Sequence, residues 1–297
     1  MPELPEVETV RLGLVPALEG RILARVNAKR ADLRIPFPEN FAARLTGRRV
    51  LKLSRRAKYL LAHLDNGQTL IVHLGMSGRL TIHGLEAAVK PGRFHRKTAD
   101  DGSGEGKHDH VVFETDEGTR IVFTDHRRFG LMTIADTDAL SSHALFAGLG
   151  PEPLDEAFTP VFLSAALKGK RTPIKSALLD QRVVAGLGNI YVCEALHRAR
   201  LSPKRRASTI ASRTGSPNER AQRLVDAIKA VLAAAIAAGG SSLRDHRRTD
   251  GELGDFQHNF RVYDRAGKPC PTPGCAGTIR RVVQGGRSTF FCPVCQR

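Results

Sequence analysis

The chain opens Met1-Pro2-Glu3-Leu4-Pro5-Glu6. Proline behind an initiator methionine permits methionine removal, so the chain is expected to present the secondary amine of Pro2. An α-amino group titrates near pH ~8, far below lysine, so a useful fraction is unprotonated and nucleophilic at neutral pH. Glu3 and Glu6 bring two carboxylates close in sequence to that amine, the group that gives and takes protons beside a reacting centre. A Met-Pro start alone more often marks a stiff, solvated terminus. The remaining residues decide between the two readings.

A second chemistry lies at the other end. Cys270-x4-Cys275-x16-Cys292-x2-Cys295 supplies two thiol pairs separated by a β-like segment. That spacing predicts one tetrahedral zinc, closed by four ligands and therefore structural rather than catalytic. Gly285-Gly286 is suited to turn a hairpin between 278–283 and 288–291. Arg280, Arg281 and Arg287 put positive charge on this ribbon, either as a solvated face or as phosphate contacts. Cys193, the fifth cysteine, reads as a buried structural thiol.

Between these ends are several weaker motifs. Arg55-Arg56-Ala57-Lys58-Tyr59 enters a strand with cations at its mouth, which suits phosphates or simply guards a strand edge. Met76 sits in the turn-rich Leu74-Gly75-Met76-Ser77-Gly78, where a methionine is core or, on a nucleic-acid-facing loop, a wedge between bases. Asp125-His126-Arg127-Arg128-Phe129-Gly130 pairs cations with one aromatic and would complete such a wedge. Gly188-Asn189 opens a helix whose free N–H groups can hold a phosphate. Lys170 and Lys175 cluster around Pro173 at another helix start, as a solvated basic loop or a phosphate site. His73, His108, His110 and His126 show no metal-ligand spacing and read as structural or surface residues.

The bulk composition says what the partner is. There are 46 Lys+Arg against 30 Asp+Glu, a net charge of +16, which calls for a polyanion, nucleic acid before an anionic membrane. No apolar run approaches the roughly 20 residues of a membrane span, and the acidic start lacks signal-peptide order. The chain is expected to be cytoplasmic, which disfavours disulfides. With 5% aromatic residues and no Trp, broad base stacking on single strands is disfavoured.

These residues need elements to hold them. Val7, Val10, Leu14 and Leu18 recur at helical spacing before Gly20, predicting a helix over 6–18 that ties down the terminus. Residues 21–28 alternate like a strand. Asp65-Asn66-Gly67 and Asp116-Glu117-Gly118 punctuate two hairpins, at 60–74 and 110–124, and a further strand follows at 130–135. Residues 84–109 interrupt the pattern with a polar surface insertion. Segments 137–147, 155–169, 173–180, 189–199 and 217–238 read as helices, with a basic loop at 202–217 and a linker near 149–153. The expected class is α+β: an N-terminal antiparallel β-sandwich, a helical middle and a cysteine-bearing ribbon.

Taken together, MPELPEVET, RRAKYL, LGMSG, KHDH, DHRRFG, GLGNIY, SSLRD and the four-cysteine tail resemble the formamidopyrimidine-DNA glycosylase family, in the family's order and over nearly the whole chain. The resemblance implies an N-terminal β-sandwich at 1–135, a helix–two-turn–helix domain at 150–255 and a zinc ribbon at 261–297, with damaged double-stranded DNA in the cleft between domains. It implies a bifunctional glycosylase/AP lyase of base excision repair that acts as a monomer on oxidised purines such as 8-oxoguanine and formamidopyrimidines. Pro2 takes the role of nucleophile: it attacks C1′, expels the base and leaves a protonated Schiff base, the electron sink for β- and δ-elimination of the flanking phosphates. Glu3 matches the catalytic acid/base, with Glu6 in support. Lys58 matches the strand lysine that assists β-elimination. Met76, Arg127 and Phe129 match the side chains that fill the gap left by the everted base, an eversion costing a few kcal/mol. His108, Lys170, Lys175 and Asn189 match backbone ligands, and Arg287 matches the ribbon arginine implicated in δ-elimination. The segment 240–256 matches the link from the helical domain to the ribbon.

Two features depart from the family pattern. His126 stands where the family commonly has proline, and the insertion around 84–106 is longer than usual. Two other readings compete. One is an endonuclease VIII-like glycosylase for oxidised pyrimidines, whose Pro-Glu-Gly-Pro-Glu start differs at Leu4. The other is a non-catalytic zinc-ribbon DNA-binding protein, which leaves the acidic terminus of a basic chain unexplained.

Overall fold

The computed structural model describes residues 2–84, 105–212, 214–241 and 255–297. Met1, most of the insertion and most of 240–256 lie outside them.

Helix α1 spans Leu4–Leu18, two residues earlier than its apolar spacing suggests. The extra turn comes from capping: Glu3 and Glu6 form a capping box, and the Glu6 carboxylate accepts from the Glu3 N–H at 2.8 Å. Pro5 fits in this first turn because its missing N–H would have had no helical partner. Val7, Val10 and Leu14 then face inward, as their spacing predicts.

Behind α1 come β1 (Leu23–Ala28), the short helix α2 (Phe41–Leu45) and seven strands: β2 (Val50–Arg56), β3 (Tyr59–Leu64), β4 (Gln68–His73), β5 (Arg79–His83), β6 (Asp109–Thr115), β7 (Arg120–Thr124) and β8 (Leu131–Asp136). They form two antiparallel four-stranded sheets, β1-β6-β7-β5 and β2-β3-β4-β8. One core cluster joins them. Leu60, Ala62 and Leu64 from β3, Leu70 and Val72 from β4, Val111 and Phe113 from β6, and Ile121 and Phe123 from β7 alternate into it. The β-sandwich is as expected. Both hairpins form at their Gly turns, since Gly67 and Gly118 have φ of 77° and 79°. Strands β2 and β5 and helix α2 are additional to the elements that the local sequence pattern predicts.

The described residues divide into two compact units. One comprises those of Met1–Ala147 and Gly239–Asp255, the other those of Gly148–Ala238 and Phe256–Arg297. The stretch 137–147 is not an α-helix: Thr137–Ser142 is a short 3-10 turn with no buried residue, so no apolar face holds a longer helix. In the second unit the helices are α3 (Pro160–Leu167), α4 (Ile174–Leu178), α5 (Asn189–Arg198) and α6 (Glu219–Ala237). Helix α3 is shorter than 155–169 because Thr159 caps it, accepting from Phe162 N at 3.1 Å, with Pro160 next. Asn218 caps α6, and Gly239 and Gly240 end it. Strands β9 (Arg280–Gln284) and β10 (Arg287–Phe291) pair antiparallel across Gly285-Gly286. Both glycines have positive φ, and a Cβ on either would meet nothing within 4 Å, so backbone conformation rather than space selects glycine there.

Candidate active site and metal centre

In the first unit, Pro2, Glu3 and Glu6 are all buried at the start of α1. Glu6 does more than cap. Its second oxygen accepts from Ser241 N at 2.8 Å and Ser241 Oγ at 2.9 Å. Gly240 packs so closely that a Cβ there would come within 3.2 Å of the Glu6 side chain. The terminal turn is thereby fastened to a strip of chain 235 residues away.

Lys58 lies at the tight turn between β2 and β3 and is 8% exposed. Ala57 takes the left-handed conformation there, with φ of 53°. Arg55 braces the turn: Nη1 donates to Ala57 O at 2.9 Å and Nε to Glu8 Oε2 at 3.0 Å. His73, at the end of β4, packs its ring at a tilt against Tyr59, centroids 4.9 Å apart, and accepts the Gly75 N–H on Nδ1 at 3.0 Å. Burial, with Lys58 and Arg34 nearby, pushes this imidazole down to about 4, so it is neutral and acts as an acceptor.

Met76, Arg127 and Phe129, expected to act as a wedge, ride on two loops joined by one carboxylate. Asp125 is fully buried; Oδ1 accepts from Ser77 Oγ at 2.5 Å and Oδ2 from Gly130 N at 2.7 Å. Ser77 Oγ in turn accepts the Arg127 N–H at 3.2 Å. The glycines now have a reason: a Cβ on Gly75 would lie 2.3 Å from the Phe129 carbonyl carbon. Met76 is half-buried between these anchors, while Arg127 and Phe129 project outward. Phe129 is 46% exposed, and the Arg127 guanidinium lies 4.8 Å from its ring centroid.

His126 is the second residue of a turn closed by Arg128 N to Asp125 O at 3.2 Å. Proline favours that position because it presets φ, so the Asp125 anchors hold by hydrogen bonding what proline would stiffen covalently. His108 lies beside His126, ring centroids 6.3 Å apart, and its carbonyl accepts the Asp125 N–H at 3.0 Å. His110 Nε2 donates to Asp125 O at 2.8 Å, and burial holds this ring below its ordinary pKa against the pull of Asp125.

In the second unit, Lys170 is half-buried and Arg287 exposed. Lys175, expected among the backbone ligands, is buried. It has no exposed surface, and its ammonium donates to Thr289 Oγ1 at 2.7 Å and Ser288 O at 3.2 Å. The lysine thus braces the ribbon strand from within. Asn189 Nδ2 donates to the same Ser288 carbonyl at 3.0 Å. Lys175 and Asn189 therefore mount β10 one residue beyond Arg287. Glu194, also on α5, accepts the N–H groups of Arg261, Val262 and Tyr263 at 2.9, 3.0 and 2.7 Å. Burial raises its pKa, opposed by those three bonds and by Arg261. None of these long-range struts carried a sequence signal beyond residue type.

The four cysteine sulfurs lie within 4.8 Å of one another. Cys270–Cys295 and Cys275–Cys292 are 3.7 and 3.6 Å apart. An ideal tetrahedron with Zn–S of about 2.3 Å has sulfur edges of about 3.8 Å, so the set fits one zinc, while a disulfide needs about 2.05 Å. Gly277 completes the cradle, since a Cβ there would sit 2.5 Å from Cys292 Sγ. The tail is a structural zinc site. Cys193 is buried, as expected of a structural thiol.

Comparison with known proteins agrees with this geometry. The formamidopyrimidine-DNA glycosylase N-terminal domain matches residues 1–132, the H2TH domain of the same enzymes residues 149–247, and the zinc finger found in FPG and IleRS residues 267–297. Proteins named formamidopyrimidine-DNA glycosylase from Azorhizobium caulinodans and Rhodopseudomonas palustris (strain HaA2) are 59% and 60% identical, covering all of this chain and all of theirs. The crystal structure of the MutM (Fpg) protein from Thermus thermophilus superposes with a TM-score of 0.81 at 39% identity, over 99% of this chain and 98% of that one. The Lactococcus lactis Fpg, solved in complex with abasic-site DNA, gives 0.82 at 32% identity over the whole of both chains. The chain therefore belongs to the formamidopyrimidine-DNA glycosylase family.

Proposed function

We propose that this chain is a DNA glycosylase/AP lyase of base excision repair, working as a monomer on oxidised purines in double-stranded DNA. The observation that carries the reading is full-length family membership combined with a Pro2-Glu3-x-x-Glu6 terminus held in a buried helical cap. With Met1 removed, the Pro2 amine attacks C1′ and the N-glycosidic bond breaks, its electron pair leaving with the base. Glu3 shuttles the proton between sugar and leaving group. The C1′–O4′ bond of the resulting aminal then opens, O4′ taking a proton, to give the iminium ion, which draws electrons as a C2′ proton is lost and the C3′–O and then the C5′–O bond breaks, with Lys58 assisting the first elimination and Arg287 the second. Met76, Arg127 and Phe129 fill the gap left by the everted nucleotide. Lys170, His108 and Asn189 steady the backbone, and zinc holds the ribbon in shape.

Borohydride reduction in the presence of an 8-oxoguanine duplex tests this. A covalent protein–DNA adduct is expected, and its loss in Pro2→Gly. No adduct with the wild-type chain, or undiminished trapping in Pro2→Gly, would overturn the assignment. One structural relative is titled as a complex of the Lactococcus lactis Fpg with oxidised-pyrimidine DNA. Excision of thymine glycol measured beside 8-oxoguanine therefore establishes which lesion class dominates here.

A further inference from the structure

The zinc site has a neighbour that the ligand set does not use. His197 lies in the last turn of α5, is 2% exposed, and directs Nε2 at the cysteine cluster. Nε2 stands 3.5 Å from Cys270 Sγ and 3.9 Å from Cys295 Sγ, with Thr272 Oγ1 at 3.3 Å. Thr272 Oγ1 is itself 3.9 Å from Cys295 Sγ. The other ring nitrogen, Nδ1, is buried with no hydrogen-bond partner among the described residues.

Four thiolates around one Zn²⁺ leave a net charge of about −2, and groups that donate to the sulfurs from outside the ligand set relieve it. A neutral imidazole has one N–H to place. On Nδ1 it would be a buried donor without an acceptor, and the Nε2 lone pair would face the Cys270 sulfur with only the Thr272 hydroxyl able to donate to it. On Nε2 it points at Cys270 Sγ, and the Thr272 hydroxyl is left to donate to Cys295. Four cysteines already fill the tetrahedron, so the imidazole is not a fifth ligand. Helix α5 thus meets the ribbon at both ends, through Asn189 to Ser288 at its start and His197 to Cys270 at its finish.

We propose that His197 is an outer hydrogen-bond donor to the zinc centre, through Nε2–H to the Cys270 thiolate, and that it ties metal retention to helix α5. His197 is a positioning residue, so its test reads the metal rather than turnover. In the full zinc-loaded chain, zinc transfer to a chromogenic chelator is compared between wild type, His197→Gln and His197→Phe. His197→Phe is expected to lower zinc affinity about tenfold or more, within the range found for such outer partners, and His197→Gln less, because its amide can still donate. In the cobalt-substituted protein the thiolate-to-metal charge-transfer band of His197→Phe should move to lower energy, since a sulfur without the donor is easier to oxidise. Unchanged zinc retention and an unchanged band in the Phe variant would overturn the proposal. So would a larger loss in Gln than in Phe, which would assign the effect to packing. A measurement on the wild-type chain stands apart from variant folding: nitrogen NMR of the His197 ring should show Nε2 protonated and Nδ1 bare, and the reverse tautomer would sink the idea.

Discussion

Ser77 donates its hydroxyl to Asp125 at 2.5 Å, and this buried bond joins the loop bearing Met76 to the loop bearing Arg127 and Phe129. The three side chains proposed to fill an everted nucleotide's place are therefore mounted on one rigid piece. Asp125→Asn and Ser77→Ala should each lower stability by about 1.5–3 kcal/mol, as expected for losing a buried bond to a charged acceptor. Excision of 8-oxoguanine should fall more than cleavage of a preformed abasic site, where no base has to leave the stack. Thermal melts and paired single-turnover assays on the two duplexes check this.

His126 occupies the turn position that proline favours, and its N–H makes no backbone hydrogen bond among the described residues. His126→Pro should stabilise the chain by about 0.4–1 kcal/mol by restricting the unfolded state. Urea unfolding curves read this directly, and a lower midpoint would show that the turn's φ does not suit proline.

The Glu6 carboxylate accepts from Glu3 N, Ser241 N and Ser241 Oγ among the described residues. Glu6→Ala strands two backbone donors and should cost about 2–5 kcal/mol, whereas Ser241→Ala removes a single hydroxyl and should cost about 1 kcal/mol. Equal losses in the two variants would show that the carboxylate is not the hub of that turn.

His73 titrates near 4 in the folded chain because burial, Lys58 and Arg34 oppose its charge. Unfolded, it titrates near its ordinary ~6.5. Below that value the unfolded chain takes up a proton that the folded chain refuses. The stability it contributes is therefore whole above pH ~6.5 and is lost as pH falls toward ~4, by up to about 3 kcal/mol. The same proton would break the Gly75 N–H bond to Nδ1. Denaturant melts across that window should show a shallower loss in His73→Gln than in wild type.

Lys170 and Arg287 have surface to offer a phosphate, and Lys175 has none. Lys170→Ala and Arg287→Ala should each reduce the slope of log affinity against log salt by about 0.9 on duplex DNA. Thr289→Val removes an acceptor of the buried Lys175 ammonium, so it should lower the melting temperature and leave the slope alone. Binding titrations at several salt concentrations separate the two behaviours.

Much of this protein was legible in local pattern. Asp65-Asn66-Gly67, Asp116-Glu117-Gly118 and Gly285-Gly286 placed three hairpins, because glycine at positive φ is a requirement of neighbouring residues only. Helical spacing found α1, and thiol spacing found the zinc site. Strand β5 and helix α2 escaped because five residues hold too few repeats to declare a period. The stretch 137–147 has helical composition, but Thr137–Ser142 buries no residue and Phe146 alone is buried after it.

By itself, then, the sequence determined the residue types that can react, the zinc ligands, the turns and the α+β class, since each depends on chemistry or on near neighbours. Tertiary structure alone decided who meets whom. Strand β1 pairs with β6 rather than with its neighbour β2, Glu6 reaches Ser241, and Lys175 turns inward to Ser288, 113 residues away. Such partners are chosen by which distant polar groups are buried together and must satisfy one another, and no local pattern records that choice.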